Sequence, residues 1–436
     1  MLLKFSAVLS VAMLVVQCIV CFGAVQMVYP VVGEGFTSPC TIDTYGNAWE
    51  GSLTFSLLQY DPRGPALASY LVVMNASGEL LYLREYNGGS LSGITKYVSN
   101  DTLMFQAGWS TQFLNFDTGQ TTDFPNVNDY HHDIDYDPVT GNFLVLRNYV
   151  RNVNGTDVLY DTIVELNATG SVLWTWDTYD HLPLSWADPY NLTTTVNGEI
   201  VEDFTHCNAI QWDYDENVVY LNSRHLDTFF KINMTSGDII WGCGLHGNFT
   251  LLDANGTKVP SLWYHSHDTE EIAPDVFMMF DNDYHNQTNP DDAHSRILEL
   301  TLDEQNMTAQ ETWSWEAPEQ YWSYYWGEAD VLPNGDRIGT FGTQTKPYNS
   351  SIGAVIVEVS PQGQVVRTWT FPTDWGIYRV VPGTLVPTGS GIYPEIPQTG
   401  IVGEYNPTQA ILAMIIATSM IPVVVYGRRR KRARYT

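Results

Sequence analysis

The sequence of 436 residues predicts an all-β fold, a six-bladed β-propeller, on two observations. Between residues 30 and 400 the chain consists of short runs rich in Val, Ile, Tyr, Phe and Trp, separated by Gly, Asn and Asp turns, and helical periodicity is nearly absent. Such runs are typical of strands in an all-β domain. The second observation is a repeated unit, because repetition at intervals of several tens of residues indicates an array of similar sheets.

The repeated unit is a strand, a turn and a second strand that ends in aromatic residues, as in "TIVELNATGSVLWTWD" (162–177). Its six copies occupy 69–86, 111–124, 162–177, 228–244, 296–316 and 354–371. A second hairpin precedes the four later copies, at 131–146, 206–221, 267–280 and 327–341. Two hairpins make a four-stranded blade, and in a propeller the first strand of each blade lines a central channel. We expect five tryptophans of the repeats to pack between blades: Trp174, Trp176, Trp241, Trp313 and Trp315.

The two ends of the chain have the composition of membrane signals. Residues 1–23 begin with one Lys and continue as an apolar run, which is typical of a secretory signal peptide, with an uncleaved anchor as the alternative. The propeller is predicted for residues 24–382, followed by a Pro/Gly/Thr-rich stalk (383–406). Residues 407–427 are apolar enough to span a bilayer as one helix, and a basic tail (428–436) follows. The positive-inside rule favours a single-pass protein of the cell membrane, with the propeller outside and the tail in the cytoplasm, over a buried core helix.

Glycosylation signals and charge also indicate an external domain. Eleven N-x-S/T signals are present, at Asn75, Asn100, Asn154, Asn167, Asn191, Asn233, Asn248, Asn255, Asn286, Asn306 and Asn349. Without Lys4 and the six basic residues of the tail, 13 basic residues face 49 acidic ones, so the external part carries a net charge of about −36. This charge argues against nucleic acid and anionic lipid as partners. Of five cysteines, Cys40, Cys207 and Cys243 lie beyond the signal peptide, and their pairing is open.

The candidate site consists of histidines at one position of the repeat. His132, His206 and His267 occupy the start of the first strand in three successive blades, so radial repetition aims all three imidazoles at one mouth of the channel. Antiparallel pairing would set Arg224 beside His206, and Asn208 follows His206 on the same strand face. A cation and imidazoles inside an anionic shell suit a small anion with charge on several oxygens. A neutral imidazole can also act as a nucleophile or as a general acid or base.

Several of these segments together resemble the aryl-sulfate sulfotransferase family. "DFTHCNAIQWDYDENVVYLNSRHLDTFFKINMTSGDIIWGCG" (203–244) is similar to its H-x-N-x-I, S-R-H and K-I-x-x-x-x-G-x-I-x-W elements. "HSHDTEEIAPDVFMMFDND" (265–283) resembles its "QHD…LFDN" segment, and "EADVLPNGD" (328–336) its "LPNGN" segment. The likeness runs from about residue 129 to 372. The departures are "NSRH" for "SSRH", "FDNDY" for "LFDNG", "LPNGD" for "LPNGN", and Cys207 in place of a small residue.

The resemblance implies a six-bladed propeller and a ping-pong transfer of sulfuryl groups from a phenolic sulfate donor to a phenol acceptor, independent of nucleotide and metal. It implies His267 as the transiently sulfated nucleophile and His206 and His132 as supporting histidines. Arg224 corresponds to the residue that neutralises sulfate oxygens, and Asn208 to a substrate contact.

Other interpretations of the same residues remain open. A non-catalytic receptor or adhesion propeller could bind an anionic ligand or glycan at the channel mouth. His265 and His267 form an H-x-H pair, and His131 adjoins His132, so a zinc site is an alternative, although no HExxH motif is present. "DIDYD" (133–137) resembles the start of a calcium loop but lacks its Gly and its twelfth-position Glu, which favours turn chemistry. We therefore expect no cofactor, leaving structural calcium open, and the sequence does not indicate an oligomeric state.

Overall fold

The computed structural model describes residues 39–60, 66–87, 91–108, 110–190, 192–285, 293–342 and 352–383. The predicted signal peptide (1–23), transmembrane segment (407–427) and basic tail (428–436) lie outside these residues, as does all of the predicted stalk except its first residue. Within the described ranges, no helix is both long and apolar enough to cross a membrane.

The described strands form six sheets, which are the blades. Counted from the innermost strand outwards, the first blade contains β28 (Trp375–Gly383), β2 (Ser52–Tyr60), β3 (Ala66–Asn75) and β4 (Leu80–Asn87). The second contains β5 (Leu91–Ser99), β6 (Thr102–Ala107), β7 (Ser110–Asn115) and β8 (Thr121–Phe124). The third contains β9 (Ile134–Asp137), β10 (Asn142–Val153), β11 (Thr156–Leu166) and β12 (Val172–Asp177).

The remaining three blades follow the same order. The fourth contains β15 (Cys207–Asp213), β16 (Val218–Ser223), β17 (Thr228–Asn233) and β18 (Ile239–Gly244). The fifth contains β20 (His267–Ala273), β21 (Val276–Asp281), β22 (Arg296–Asp303) and β23 (Thr308–Glu316). The sixth contains β24 (Glu328–Val331), β25 (Arg337–Phe341), β26 (Ile352–Val359) and β27 (Val365–Pro372).

A few short elements extend these blades. The third carries β13 (Thr193–Val196) and β14 (Glu199–Asp203), the fifth carries β19 (Thr250–Leu252), and the sixth carries β1 (Thr41–Thr44). Helical structure in the described residues is limited to a single turn, α1 (Thr178–His181), and two 3-10 turns, Leu184–Trp186 and Glu319–Tyr321. The carboxylate of Asp177 caps α1 by accepting a hydrogen bond from the Tyr179 N–H. The all-β prediction is confirmed.

The six inner strands contact one another in a closed ring. β28 contacts β5, and contacts continue through β9, β15, β20 and β24 back to β28. A closed ring of sheets, in which each blade packs against the next, is the β-propeller architecture. The six predicted aromatic hairpins are the third and fourth strands of the six blades, and the four predicted inner hairpins are the first two strands of blades three to six. The repeat therefore predicted the outer hairpin of all six blades and the inner hairpin of the last four.

Both ends of the described chain close the ring. The late strand β28 pairs with β2 near the chain start, from Ser52 opposite Gly383 to Gln59 opposite Trp375. At the outer edge of the sixth blade, β1 pairs with β27, with Thr41 opposite Thr370. The first and sixth blades thus each combine strands from both ends, so opening the ring requires two sets of strand hydrogen bonds to break.

Six hydrophobic clusters fill the spaces between neighbouring blades. The five predicted tryptophans all lie in or against these clusters, so that prediction is confirmed. Some indoles also donate to the next blade: Trp176 Nε1 donates to the Gly237 carbonyl at 2.9 Å, and Trp369 Nε1 donates to Ala76 at 2.9 Å. Truncating a buried tryptophan of this kind costs about 3–5 kcal/mol.

Polar side chains also join the inner strands, next to the predicted histidines. Asp133 accepts from the Ile210 N–H at 2.8 Å, and Asp268 accepts from the Ala329 N–H at 3.2 Å. Asn208 donates to the Ser266 carbonyl at 2.8 Å. These contacts fix the inner strands of blades three to six against one another, so the residues beside the histidines set the geometry of the channel mouth.

Two other sequence predictions concern surface and thiols. The predicted glycosylation asparagines in the described residues, Asn75, Asn100, Asn154, Asn167, Asn233, Asn248, Asn255 and Asn306, are all at least partly exposed. Asn191, Asn286 and Asn349 lie outside the described residues, and glycosylation stays a prediction.

Cys207 and Cys243 are buried, unpaired thiols. Burial and nearby Asp161 raise the pKa of Cys207 well above its usual value, so this thiol stays protonated and structural.

Candidate functional site

The three predicted histidines converge at one end of the ring. His132 lies two residues before β9, His206 lies directly before β15, and His267 is the first residue of β20. The ring centroids of His132 and His206 are 4.8 Å apart, and the rings of His132 and His267 each lie 6.2 Å from the ring of Tyr378. The predicted gathering of three imidazoles is therefore present in the structure.

The backbone at these histidines departs from regular strand geometry. His132 and His206 have left-handed conformations, with φ of +58° and +45°. These bends interrupt the alternation of side chains along a strand. The H-x-H pair does not lie on one strand face, because His265, at φ +57°, precedes the strand that begins at His267. The His265 ring contacts the Tyr284 carbonyl and the carboxylate of Asp188 instead.

His267 is held between an amide and a backbone N–H. Its Nδ1 lies 2.7 Å from Asn282 Oδ1, and the Trp326 N–H donates to its Nε2 at 3.3 Å. The residue is only 1% exposed. Burial, followed by the positive charge of Arg224, lowers the pKa of His267 well below its usual value. The imidazole is therefore neutral at physiological pH, which is the state in which a histidine is nucleophilic.

His206 has a carboxylate partner instead. Its Nδ1 lies 2.7 Å from Asp203 Oδ2, and its ring stacks on His225 with centroids 4.6 Å apart. The Nδ1 of His225 lies 2.7 Å from the Asp203 carbonyl oxygen. A carboxylate at Nδ1 orients the ring and stabilises the imidazolium that forms when Nε2 takes up a proton. This arrangement suits a general acid or base.

The same three residues could hold a metal ion. One ligand atom from each of Asp203, His206 and His225 lies within 4.8 Å of the other two. Two imidazoles and a carboxylate are a donor set that zinc accepts. The hydrogen bond between Asp203 and His206 already accounts for two of the three groups, so the set fits a metal but does not require one.

His132 is the first member of a chain of polar groups linked by short contacts. Its Nδ1 lies 2.7 Å from Nδ1 of His131, whose Nε2 lies 3.1 Å from Asp161 Oδ1. Asp161 also accepts from the Thr205 hydroxyl and the Cys207 N–H. Burial alone would raise the pKa of Asp161, but the His131 contact and these hydrogen bonds hold it below its usual value. Burial, followed by the charge of His206, lowers the pKa of His132 well below its usual value.

Arg224 provides a buried cation beside the imidazoles. Its backbone N–H donates to the His206 carbonyl at 3.3 Å, as the predicted antiparallel pairing requires. Its Nη2 donates to the Tyr324 carbonyl at 3.0 Å, while its buried Nε has no hydrogen-bond partner among the described residues. Burial lowers the pKa of Arg224, and the carboxylates of Asp203 and Asp227 oppose that shift. A desolvated guanidinium N–H without an acceptor is a binding point for an anion.

Asn208 does not point freely into the site. Its Nδ2 donates to Ser266, its Oδ1 accepts from Asn222 Nδ2 at 2.7 Å, and its carbonyl accepts from Arg379 Nη2 at 2.9 Å. These contacts use the amide and the carbonyl of Asn208 to join neighbouring parts of the ring. The contact of Asn208 with substrate stays a prediction. The "DIDYD" carboxylates likewise serve structural contacts. Asp133 and Asp135 accept the N–H groups of Ile210 and Trp212 in the next blade, whereas Asp137 makes the expected turn contact with the Val139 N–H.

Arg379 is a site neighbour that sequence reasoning missed. Its Nη1 pairs with Asp133 at 3.1 Å and with Asp268 at 3.6 Å. Those aspartates directly follow His132 and His267, and Arg379 also holds the Asn208 carbonyl, so one guanidinium anchors three inner strands. Asp203, His225, Asn282 and Trp326 were also missed. His225 and Asn282 lie inside the quoted "NSRH" and "FDND" segments, which could have drawn attention to them, whereas Arg379 has no local signal.

Comparisons with known proteins give a family and several distant structures. The chain shares 12% identity with a Bacteroides caccae protein of unknown function (76% of this chain, 100% of that one, TM-score 0.41) and 9% with apo AztD from Citrobacter koseri (79% and 100%, TM-score 0.35). It shares 13% with an auxiliary nutrient binding protein from Bacteroides thetaiotaomicron (77% and 70%, TM-score 0.35). These likenesses are too weak to carry an inference. No curated protein matches the sequence.

The family comparison is more extensive. The arylsulfotransferase (ASST) family matches residues 68–379, which is more than half of the chain and includes every residue of the site described above. The chain therefore belongs to the arylsulfotransferase family.

Proposed function

We propose that the protein transfers a sulfuryl group from an aryl sulfate to a phenolic acceptor by a ping-pong mechanism through a sulfohistidine at His267, without nucleotide or metal. Family membership supports an aryl sulfotransferase with small phenolic substrates. The observation that carries the proposal is a buried imidazole, His267, that is kept neutral by burial and by the charge of Arg224, whose Nε has no acceptor among the described residues. Attack on a sulfate ester requires a nucleophile and, near it, hydrogen-bond donors for the sulfuryl oxygens.

In the first half-reaction, the lone pair of His267 Nε2 attacks the sulfur of the aryl sulfate. The N–S bond forms as the S–O bond to the phenol breaks, and the departing oxygen keeps the electron pair. Arg224 stabilises the charge on the sulfuryl oxygens, because a guanidinium presents several donors in a fixed plane. Protonated His206, backed by Asp203, gives its Nε2 proton to the phenolate.

In the second half-reaction, an acceptor phenol replaces the released one. Neutral His206 takes the proton of the acceptor hydroxyl, whose oxygen attacks sulfur. The S–N bond breaks and its electron pair returns to Nε2, so His267 and His206 end in their starting states. His132, 4.8 Å from His206 between ring centroids and linked to His131, acts as the supporting histidine.

We place this reaction outside the cell, on a single-pass membrane anchor. The support is the sequence: an apolar start, an apolar segment at 407–427 with a basic tail, and the eleven glycosylation signals. Surface labelling of intact cells by an antibody to the propeller, with the tail accessible only after permeabilisation, tests this placement.

The function is tested with the purified protein, p-nitrophenyl sulfate and phenol, in the presence of EDTA and without nucleotide. Release of p-nitrophenol and formation of phenyl sulfate are expected, and ³⁵S from the donor should appear on the peptide that contains His267. His267→Gln should lose both, whereas His181→Gln, an exposed histidine stacked on Trp176, should retain both. Absence of transfer and of label in the wild-type protein would refute the proposal.

The same assay decides the alternative, a receptor or adhesion propeller that binds an anionic ligand or glycan at the channel mouth. The buried Arg224 and the exposed glycosylation sites suit that function as well. A wild-type protein that binds aryl sulfates without turnover, and a His267→Gln variant that binds them equally well, would favour it.

A further inference from the structure

We propose that Asn282 is a positioning residue that keeps the proton of His267 on Nδ1, and this inference rests on the proposed sulfuryl transfer. On the other side of the ring, the Trp326 N–H donates to Nε2 and so keeps that nitrogen unprotonated until the sulfuryl group arrives. Neither residue belongs to the set of groups predicted from the sequence. The geometry on the two sides of the His267 ring supports this independently.

The orientation of the Asn282 amide is determined by its own partners. Its Nδ2 donates to the Ser323 carbonyl at 2.7 Å and to the Trp326 carbonyl at 2.8 Å. Carbonyl oxygens only accept, so the nitrogen of the amide must face them, and Oδ1 must face His267. Asn282 is fully buried, so it has no room for water to replace these partners. Since Oδ1 is an acceptor 2.7 Å from Nδ1 of His267, Nδ1 must carry the proton.

The other nitrogen of the ring is determined by a backbone donor. The Trp326 N–H lies 3.3 Å from His267 Nε2, and an amide N–H only donates. Nε2 must therefore present its lone pair. Asn282 and Trp326 thus specify the same tautomer from opposite sides, and it is the tautomer in which Nε2 is the nucleophile.

The Trp326 N–H then has a second use during the reaction. When Nε2 bonds to sulfur, its lone pair is no longer available to the N–H, which now lies beside a sulfuryl oxygen. A preorganised backbone donor at that place stabilises developing charge in the way an oxyanion hole does. Trp326 has φ +63°, a left-handed conformation that is unfavourable for a residue other than glycine. The Trp326 carbonyl contact to Asn282 helps to hold this backbone in place.

The neutrality of the amide matters for turnover as well. Once sulfated on Nε2 and protonated on Nδ1, the ring is a cation. A carboxylate at Nδ1 would stabilise that cation and make the sulfuryl group harder to release, as well as favouring protonation of the free ring before attack. An amide orients the ring without adding charge. His267 therefore starts neutral and becomes a reactive donor.

The test is ¹⁵N NMR of histidine-labelled full-length protein, in which the two ring nitrogens of neutral histidine report the tautomer. The His267 signal, assigned by its loss in His267→Gln, should show protonated Nδ1 and bare Nε2 from pH 8 down to pH 5. An Nε2–H tautomer in the wild-type protein, or an imidazolium at pH 6, would overturn the proposal. This measurement needs no variant other than the one used for assignment.

Substitutions of Asn282 test its effect on the His267 tautomer and on the transfer rate. Asn282→Ala should mix the tautomers and slow transfer by roughly 10²-fold, since the wrong tautomer presents an N–H to sulfur. Asn282→Asp should raise the pKa of His267 and move the acid limb of the rate profile to higher pH. Asn222→Ala is the matched control, because Asn222 is equally buried and donates to the Ser266 carbonyl at 3.0 Å. Asn222→Ala should leave the His267 tautomer unchanged, and a shift as large as that of Asn282→Ala would contradict the assignment.

The two proposals fail differently. If the wild-type protein shows the expected tautomer but never transfers sulfuryl groups, the proposed function is wrong and the positioning by Asn282 stands on the spectrum. If transfer occurs through a labelled His267 that carries its proton on Nε2, the function stands and the positioning proposal is wrong.

Discussion

His206 and His267 occupy equivalent positions in neighbouring blades, yet their surroundings differ in two respects. The Nδ1 partner of His206 is the carboxylate of Asp203, whereas that of His267 is the neutral amide of Asn282. The side chain of His206 is 28% exposed, whereas the whole residue His267 is 1% exposed. Radial repetition brings the same residue type to the same place, and the partner behind each ring gives it a different chemistry.

The difference follows from elementary electrostatics. The carboxylate of Asp203 at Nδ1 and the access to solvent suit His206 to proton transfer at Nε2 in the proposed reaction. Burial and the nearby charge of Arg224 disfavour the charged form of His267. They outweigh the opposing effect of the Asn282 hydrogen bond, so the pKa of His267 is lowered well below its usual value. In the proposed reaction, one position of the repeat thus provides an acid or base in blade four and a nucleophile in blade five.

The largest effect should come from removing the nucleophile itself. His267→Gln is expected to reduce sulfuryl transfer by roughly 10⁴-fold or more, because the covalent intermediate can no longer form. His206→Gln removes only proton transfer and should cost about 10²–10⁴-fold. Initial rates of p-nitrophenol release measure both, with His181→Gln as the control. Equal losses, accompanied by label on His206 instead of His267, would reverse the two assignments.

Arg224→Met should have the next largest effect. Removing the cation takes away stabilisation of the sulfuryl charge, which is expected to cost about 10²–10³-fold in transfer rate. Because the charge of Arg224 also lowers the pKa of His267, the variant should lose activity at a higher pH than the wild type as the solution is acidified. Rates between pH 5 and 9 measure this shift. Arg151→Met, which removes an exposed guanidinium stacked on Tyr179, should change neither quantity.

Asp203→Ala tests the comparison by removing the carboxylate behind His206. It leaves the amide behind His267 intact, so the sulfohistidine should still form, but proton transfer to and from His206 should slow by roughly 10–10²-fold. Single-turnover label trapping, compared with steady-state rates, separates the two. Alanine is chosen because Asp203→Asn would complete an N-x-T glycosylation signal with Thr205. Loss of label formation as severe as in His267→Gln would contradict separate roles.

Much of the fold and the gathering of the histidines could be predicted, because both follow from repetition. Six similar hairpins specify six blades, and one position of the repeat, occupied by His132, His206 and His267, must then face the same mouth. The local pairing of Arg224 with His206 followed from hairpin register and is present in the backbone hydrogen bond between them.

The partners of those residues could not be predicted in the same way. Arg379 reaches the site only because β28 pairs with β2, a consequence of ring closure that no local pattern encodes. Left-handed backbones at His132, His206 and Trp326 redirect side chains and N–H groups in ways that strand alternation does not anticipate. The amide of Asn208, which alternation placed on the same strand face as His206, bridges Ser266 and Asn222.

Asp227→Asn should have a smaller effect, on stability and its pH dependence. Burial raises the pKa of Asp227 from 3.8 to about 8, and its Oδ1 accepts the His265 N–H at 2.6 Å. A carboxyl with a raised pKa stabilises the fold below its unfolded value and loses that contribution as pH rises through the folded value. The asparagine side chain keeps an acceptor oxygen for the His265 N–H but does not ionise. Its unfolding midpoint relative to the wild type should therefore increase between pH 4 and pH 8, whereas exposed Asp238→Asn should show no such trend.

Metal ions should have the smallest effect on the transfer rate, and we expect them to bind at His206 and not at His267. Asp203, His206 and His225 offer a donor set, whereas both nitrogens of His267 are engaged by Asn282 and Trp326. EDTA is expected to leave the transfer rate unchanged, and added Zn²⁺ is expected to inhibit by occupying His206. His225→Ala should weaken that inhibition by roughly 10-fold, while His181→Ala should not change it. A rate that falls with EDTA and returns with metal would instead make the ion part of the reaction, and would replace proton transfer by His206 with metal-assisted chemistry at the same position of the repeat.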